Sequence, residues 1–294
     1  MTDLVLRDNE IFELQDRKRL GYAVYGDPIG QPVLFFHGIP GSRLQRNPDL
    51  SLLIELSICV YAIDRPGTGL SSYQKDRSLL DWPEDVRAFC DGLGIERFDC
   101  IGISSGGPYA LACAFRLPDR IRNVAIVSSL SPLDRSELFA QLNPRMKRLF
   151  RLAHRHPVML NKLAGLLFWI FRSRFDRAFE YLVADLPSAD KILLTQPAIA
   201  EMFKNDVGQA FRQGSRGVVS DMSILCKPWG FDLEEIQFPV QIWHGTADTI
   251  VPLPLARFNL EHLPHAQAHF IEGAGHFMAL TRTREIFSEI LSIR

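Results

Sequence analysis

The chain has 294 residues, 47% of them hydrophobic, which is enough for one large core or for one domain with a sizeable insertion. Its 33 basic and 34 acidic residues leave a net charge of -1, so there is no electrostatic reason to expect nucleic acid or a charged membrane surface as partner. The opening MTDLVLRDNEIFELQD lacks a basic stretch followed by an apolar one and does not read as a secretory signal, and the most apolar run, residues 164–171 (AGLLFWIF), is far too short to span a bilayer.

In chain order, short β-branched or aromatic runs alternate with longer helical patterns. Strands are predicted at residues 20–25 (LGYAVY), 33–36 (VLFF), 58–63 (ICVYAI), 98–103 (FDCIGI), 124–128 (VAIVS), 240–243 (VQIW) and 268–271 (AHFI). Several are continuous apolar runs, as expected for strands buried on both faces of a parallel sheet. Helices are predicted over 79–93 after Ser78, 105–117 before Pro118, 253–263 before Pro264, and 278–293. This alternation argues for a layered α/β domain. From about Pro132 to Lys227 no good strand appears, and Leu138, Leu142, Met146, Leu149 and Phe150 recur at helical spacing. A single crossover rarely needs such length. The expected division is a core built from residues 1–131 and 228–294, with 132–227 as an inserted helical cap.

Cys59, Cys90, Cys100, Cys113 and Cys226 are scattered, odd in number and without metal-ligand spacing. Cys59, Cys100 and Cys113 fall in apolar patterns and read as small core residues. The expectation is a reduced, cytoplasmic protein.

The strongest chemical signal is Gly102-Ile103-Ser104-Ser105-Gly106 followed by Gly107, placed directly after an apolar strand and directly before a helix. A serine on such a strand-to-helix turn sits in strained backbone, and the flanking small residues let strand and helix approach. The new helix brings free N–H groups and partial positive charge to the place where negative charge develops. Ser104, at the centre of the glycine frame, is the candidate nucleophile, and Ser105 is expected to act only through its backbone N–H. A serine hydroxyl needs a base. His276 lies in GAGH after the last predicted strand, on the carboxyl edge that also carries Ser104. His154 and His156 lie among arginines and read as solvated, His262 and His265 flank a helix end, and His269 falls within a strand. Asp248, in HGTAD after the strand at 240–243, is the candidate partner that fixes the tautomer of the base, with Asp134 a weaker rival several residues beyond a strand end. The loop His37-Gly38-Ile39-Pro40-Gly41 supplies a second donor, so Ile39 N–H and Ser105 N–H are the expected oxyanion pair and His37 orders the loop.

The motifs HGIPG, DRPGTGLSS (residues 64–72), GISSGG, HGTAD and GAGH, in this order, resemble the α/β-hydrolase superfamily over nearly the whole chain except the cap. The resemblance implies a mostly parallel sheet flanked by helices and a Ser104–His276–Asp248 triad needing no metal or organic cofactor. HG-x-P and D-R-P-G-x-G-x-S are most similar to the epoxide hydrolase and haloalkane dehalogenase branch. Those enzymes use an aspartate where this chain has Ser104, and the single cap tyrosine here, Tyr181, departs from the tyrosine pair of epoxide hydrolases. Proline iminopeptidases share the cap layout but carry a tryptophan-containing elbow that is absent here. Carboxylic esters, lactones, thioesters or amides remain as substrate class. C–C bond hydrolases, cofactor-free perhydrolases and non-catalytic small-molecule receptors are the alternatives on the same fold.

The cap is rich in aromatic residues, Phe139, Phe150, Phe168, Trp169, Phe171, Phe175, Phe179, Phe203 and Phe211, some of them expected to line an apolar pocket. The run 157–171 has the look of an interfacial lid, but Asn161 and Lys162 interrupt it. The arginines at 145, 148, 151, 155, 172, 174 and 177 read as a solvated face. The expected partner is a small molecule with an apolar acyl or alcohol part, without nucleic acid or stable membrane insertion.

Overall fold

The computed structural model describes residues 4–292 apart from Asp16, 174–178, 180–182 and 185. Eight strands form one sheet: β1 (Val5–Glu13), β2 (Arg19–Gly26), β3 (Gln31–Phe36), β4 (Ile58–Ile63), β5 (Phe98–Ile103), β6 (Ile121–Val127), β7 (Val240–Gly245) and β8 (Ala266–Ile271). Their order is β1-β2-β4-β3-β5-β6-β7-β8. β3 to β8 are parallel, while β2 runs antiparallel to both β1 and β4. The central strands are mostly apolar because helices cover both faces.

On one face lie α2 (Trp82–Gly92) and α3 (Gly107–Arg116), together with the helix at Leu253–His262. On the other lie α1 (Ser51–Glu55) and the closing helix at Thr283–Ser292. Between β6 and β7 every described element is helical: α4 (Ser136–Phe139), α5 (Pro144–Arg155), α6 (Pro157–Ser173), α7 (Ser188–Leu194), α8 (Pro197–Ala210) and α9 (Arg216–Leu225). The helices at 253–262 and 283–292 are α10 and α11.

The structure departs from the sequence reading at four places. The N-terminal segment forms an edge strand, β1, with a register shift between Arg7 and Glu10. The apolar period from Leu138 to Phe150 is split, because Asn143 caps a new helix: its side chain accepts from the Met146 N–H at 2.9 Å and Pro144 takes the first position. The last helix starts at Thr283 instead of 278, since Met278–Leu280 is only a 3-10 turn. Residues 79–93 likewise open as a 3-10 turn, Leu79–Asp81, closed by a capping box between Ser78 and Asp81.

Among the described arginines of the insertion, Arg145, Arg148, Arg151 and Arg155 are exposed, as are His154 and His156. Val158, Met159, Leu163 and Leu166 of α6 are exposed too. Among the described residues, no helix is long and apolar enough to cross a membrane. Tyr181, Phe175, Arg174 and Arg177 lie outside the described residues, as do the side chains of Trp169, Phe171 and Arg172.

Candidate active site

The elbow is built by close backbone approach. β5 arrives extended at Ile103, Ser104 turns at φ 56°, and a 3-10 turn, Ser104–Gly106, runs on into α3. Left-handed backbone is strained for serine and persists only where its surroundings fix it. Here they do. A Cβ on Gly102 would stand 2.5 Å from Gly106 O, one on Gly106 2.1 Å from Phe36 O, and one on Gly107 1.9 Å from Ser129 Oγ. Ser105 is buried, its Oγ has no partner among the described residues, and its backbone N–H belongs to a first helical turn, where N–H groups lack intrahelical acceptors.

His276 is nearly fully buried in the loop after β8. Its Nδ1–H donates to Asp248 Oδ2 at 2.8 Å. The other oxygen of Asp248 accepts from the Ile250 and Val251 N–H groups at 2.8 and 2.9 Å. The carboxylate is thereby oriented before it meets the ring, and Nε2 is left as the nitrogen that can accept a proton. Burial alone would depress the His276 pKa, but the charge of Asp248, its hydrogen bond and the charge of Asp190 outweigh burial and raise it. Beneath the pair, His244 Nε2–H donates to Val251 O at 2.8 Å, and Nε2 stands 3.6 Å from Asp248 Oδ2. Burial lowers the His244 pKa, so it packs as a neutral ring.

The third loop follows β3. The Arg65 N–H donates to His37 Nε2 at 3.2 Å, so the proton sits on Nδ1, which donates to Gly38 O at 2.8 Å. Burial and the Arg65 charge push the His37 pKa well down. The Arg65 guanidinium holds the carbonyls of His37 and Gly38, and Gln45 Oε1 accepts from the Gly38 N–H at 2.7 Å. The Ile39 N–H makes no hydrogen bond to another described residue.

Ser104, Ser105, Ile39 and His276 line one cavity of about 800 Å³. The insertion supplies much of its wall, including Met146, Leu149, Leu160, Ala164, Met202 and Val219. Phe150, Phe168, Phe179, Phe203 and Phe211 line it as well, whereas Phe139 packs beneath the Arg151 guanidinium outside it. Asp134, the rival acid, is exposed.

Comparisons with known proteins bear on the fold that carries these residues. The model of the alpha/beta hydrolase fold family matches residues 31–283. The chain belongs to the α/β-hydrolase family. It is 26% identical over 273 residues to an uncharacterized hydrolase of Bacillus subtilis, covering 90% of each chain. It is 25% identical to the 2-hydroxymuconate semialdehyde hydrolase of Pseudomonas putida over 84% of this chain and 81% of that one. Among solved structures it resembles a bromoperoxidase from Bacillus anthracis (TM-score 0.72, 20% identity, 96% and 98% of the two chains). It also resembles a thermophilic esterase from Thermogutta terrifontis (TM-score 0.68, 20% identity, 98% and 97%), and likeness at such identity speaks for the fold alone.

In this α/β-hydrolase several residues at the site gave no signal in the sequence. Asp190 of α7 accepts the backbone N–H groups of His276 and Phe277. Asp206 of α8 accepts from both N–H and Oγ of Ser42 at 2.7 and 2.8 Å. Asp221 of α9 pairs with Arg65 and Arg77 and accepts from the Tyr109 hydroxyl at 3.0 Å. All three are buried carboxylates of the insertion, and each joins a segment of the core. In sequence they look like any solvated acid. The one cue that could have marked Asp221 is the absence of charge elsewhere on α9, RGVVSDMSIL, beyond its first residue.

Proposed function

We propose that this enzyme is a serine hydrolase that cleaves a small acyl substrate, a carboxylic ester or lactone, through an acyl-Ser104 intermediate. The observation that carries the reading is one cavity lined both by a serine in left-handed backbone, at the carboxyl end of β5, and by a histidine whose Nδ1 is committed to a buried carboxylate. Ser104 Oγ attacks the carbonyl carbon while His276 Nε2 takes its proton, and Asp248 stabilises the imidazolium. The N–H groups of Ile39 and Ser105 receive the oxyanion, each donor contributing about 3 kcal/mol to the transition state. The imidazolium then protonates the leaving group. Water, deprotonated by His276, releases the acid and frees Ser104. Residues 132–227 act as the cap that selects the substrate, and the apolar wall favours an acyl or alcohol part of hydrocarbon character.

Hydrolysis of a C–C bond by the same Ser104, His276 and Asp248 is the second reading, and the likeness to a 2-hydroxymuconate semialdehyde hydrolase of Pseudomonas putida adds a semialdehyde to the substrates worth testing. The deciding experiment is fluorophosphonate labelling with peptide mapping of wild type and Ser104→Ala. Label on Ser104, lost in the variant, is the expected result. A folded wild type that takes no label removes the activated serine and leaves a ligand-binding protein on this fold.

A further inference from the structure

Asp190 occupies the first turn of α7, yet it does not cap that helix. The N-cap, Pro187, has no side-chain hydrogen bond, and the carboxylate turns to a loop 86 residues further on. There Asp190 Oδ2 accepts from the His276 N–H at 2.8 Å and Oδ1 from the Phe277 N–H at 3.0 Å. The fit leaves no room for a side chain below it, since a Cβ on Gly275 would lie 2.1 Å from Asp190 Oδ2. The same loop is fastened to the sheet from the core side. Ser128 Oγ donates to His276 O at 3.0 Å and the Ala247 N–H to Ala274 O at 2.9 Å. Core bonds therefore hold two carbonyls of this loop, and Asp190 holds the N–H groups of His276 and Phe277. Two carboxylates thus address one histidine, Asp248 at the ring and Asp190 at the peptide.

We propose that Asp190 is a positioning residue of the reaction, by which a helix of the insertion fixes the peptide planes of His276 and Phe277 and sets a second negative charge beside the imidazolium as it forms. The proposal rests on His276 being the base for Ser104. A bidentate carboxylate suits the task because both donors need an acceptor at the same time. An amide in its place offers one acceptor and turns an N–H against the other donor. Among the described residues, the charged or titratable groups facing His276 are Asp248 on the loop after β7, Asp190 on α7, and His244 on β7, the last kept neutral by burial.

The test uses the full chain and compares wild type, Asp190→Asn and His276→Ala by thermal melting, by fluorophosphonate labelling rate against pH, and by kcat and KM on an activated ester. Asp190→Asn is expected to fold, to lower the labelling rate and kcat about tenfold or more with KM little changed, and to move the acid limb to lower pH, because losing a nearby negative charge eases deprotonation of the imidazolium. An unchanged rate, or a lowered rate with the acid limb in place, overturns the proposal. If Asp190→Asn does not fold, Asp190→Ser removes the charge with a smaller side chain, and the same two readouts decide. The underlying reading fails separately: His276→Ala labelled at the wild-type rate shows that His276 is not the base, and both fall. His276→Ala silent with Asp190→Asn at the wild-type rate and limb removes the role of Asp190 alone.

Discussion

Ser104 holds a backbone angle of φ 56° that a serine adopts only under constraint, a cost of about 1–3 kcal/mol that neighbouring packing must offset. The constraint comes from glycines whose missing side chains let β3, β5 and α3 touch. Gly106→Ala forces a Cβ to within 2.1 Å of a backbone oxygen, which no flexible group can yield. We expect it to cost about 3 kcal/mol or more by overpacking, read as a lowered melting temperature together with slower labelling of Ser104. As the proposed base, His276 carries a pH signature. The His276 pKa is raised above the ordinary 6.5, and only the neutral ring accepts a proton. The acid limb of kcat/KM is therefore expected to have its midpoint above 6.5, and Asp248→Asn should move it down while sharply lowering the rate. Stability runs the other way. A raised pKa stabilises the folded state fully below the unfolded value of 6.5 and loses that contribution as pH rises through the folded value. The sequence exposed Ser104, Asp248 and His276 as candidates because each stands in a short glycine-bearing motif directly after a strand. Asp190 and Asp221 carry no such mark, since their partners lie 86 and 156 residues away.

At the scale of elements, what the sequence disclosed depended on how many faces each segment buries. β4 was legible to the residue as a continuous apolar run, and β5 as one broken only by the buried Asp99. β1 is an edge strand with alternating exposure and four charged residues, Arg7, Asp8, Glu10 and Glu13, so no apolar run marked it. The 3-10 turn before α11 was hidden because Met278 is buried and continues an apolar period that the backbone does not follow. α8 contributes a different property. Asp206 sends one oxygen to Ser42, while the other has no partner among the described residues, and burial pushes its pKa up to about 8. A folded value above the unfolded one means that the folded protein binds an extra proton between the two. Stability contributed at this site is thus greatest at acid pH and declines as pH rises towards 8. Asp206→Asn keeps the acceptor for Ser42 and cannot ionise. It is expected to raise the melting temperature at pH 9 relative to wild type, with a smaller difference at pH 6, and an equal difference at both would refute the assignment of the proton to Asp206.

At the scale of the molecule, the buried cluster around Asp221 and the cavity both lie between the insertion and the sheet. Asp221 meets two guanidinium groups, Arg65 and Arg77, and Arg65 in turn grips the carbonyls of the His37–Gly38 segment. Burial lowers the Arg65 pKa to about 10, which leaves it charged at neutral pH. Removing the carboxylate strands both cations. Asp221→Leu is therefore expected to destabilise by about 3–5 kcal/mol in a denaturant titration. The cavity that these contacts frame fixes the scale of the substrate. Its volume of about 800 Å³ exceeds what an acetyl group fills, and its wall beyond the site is mostly aliphatic and aromatic. Each methylene buried there contributes about 0.8 kcal/mol, roughly a fourfold gain in kcat/KM, until the wall is reached. Activated esters from acetyl to octanoyl should accordingly rise in kcat/KM with chain length. The choice of variant follows from the same wall. Ala164, half-buried on α6, faces this space without belonging to the elbow or to the His276 loop, so a larger residue there shortens the room and leaves the chemistry in place. Ala164→Phe is expected to preserve acetyl turnover and to abolish the rise at the longer chains. A flat series in wild type, or a variant that slows all chain lengths alike, would show that the acyl group lies elsewhere and that the aromatic residues of the insertion serve packing alone.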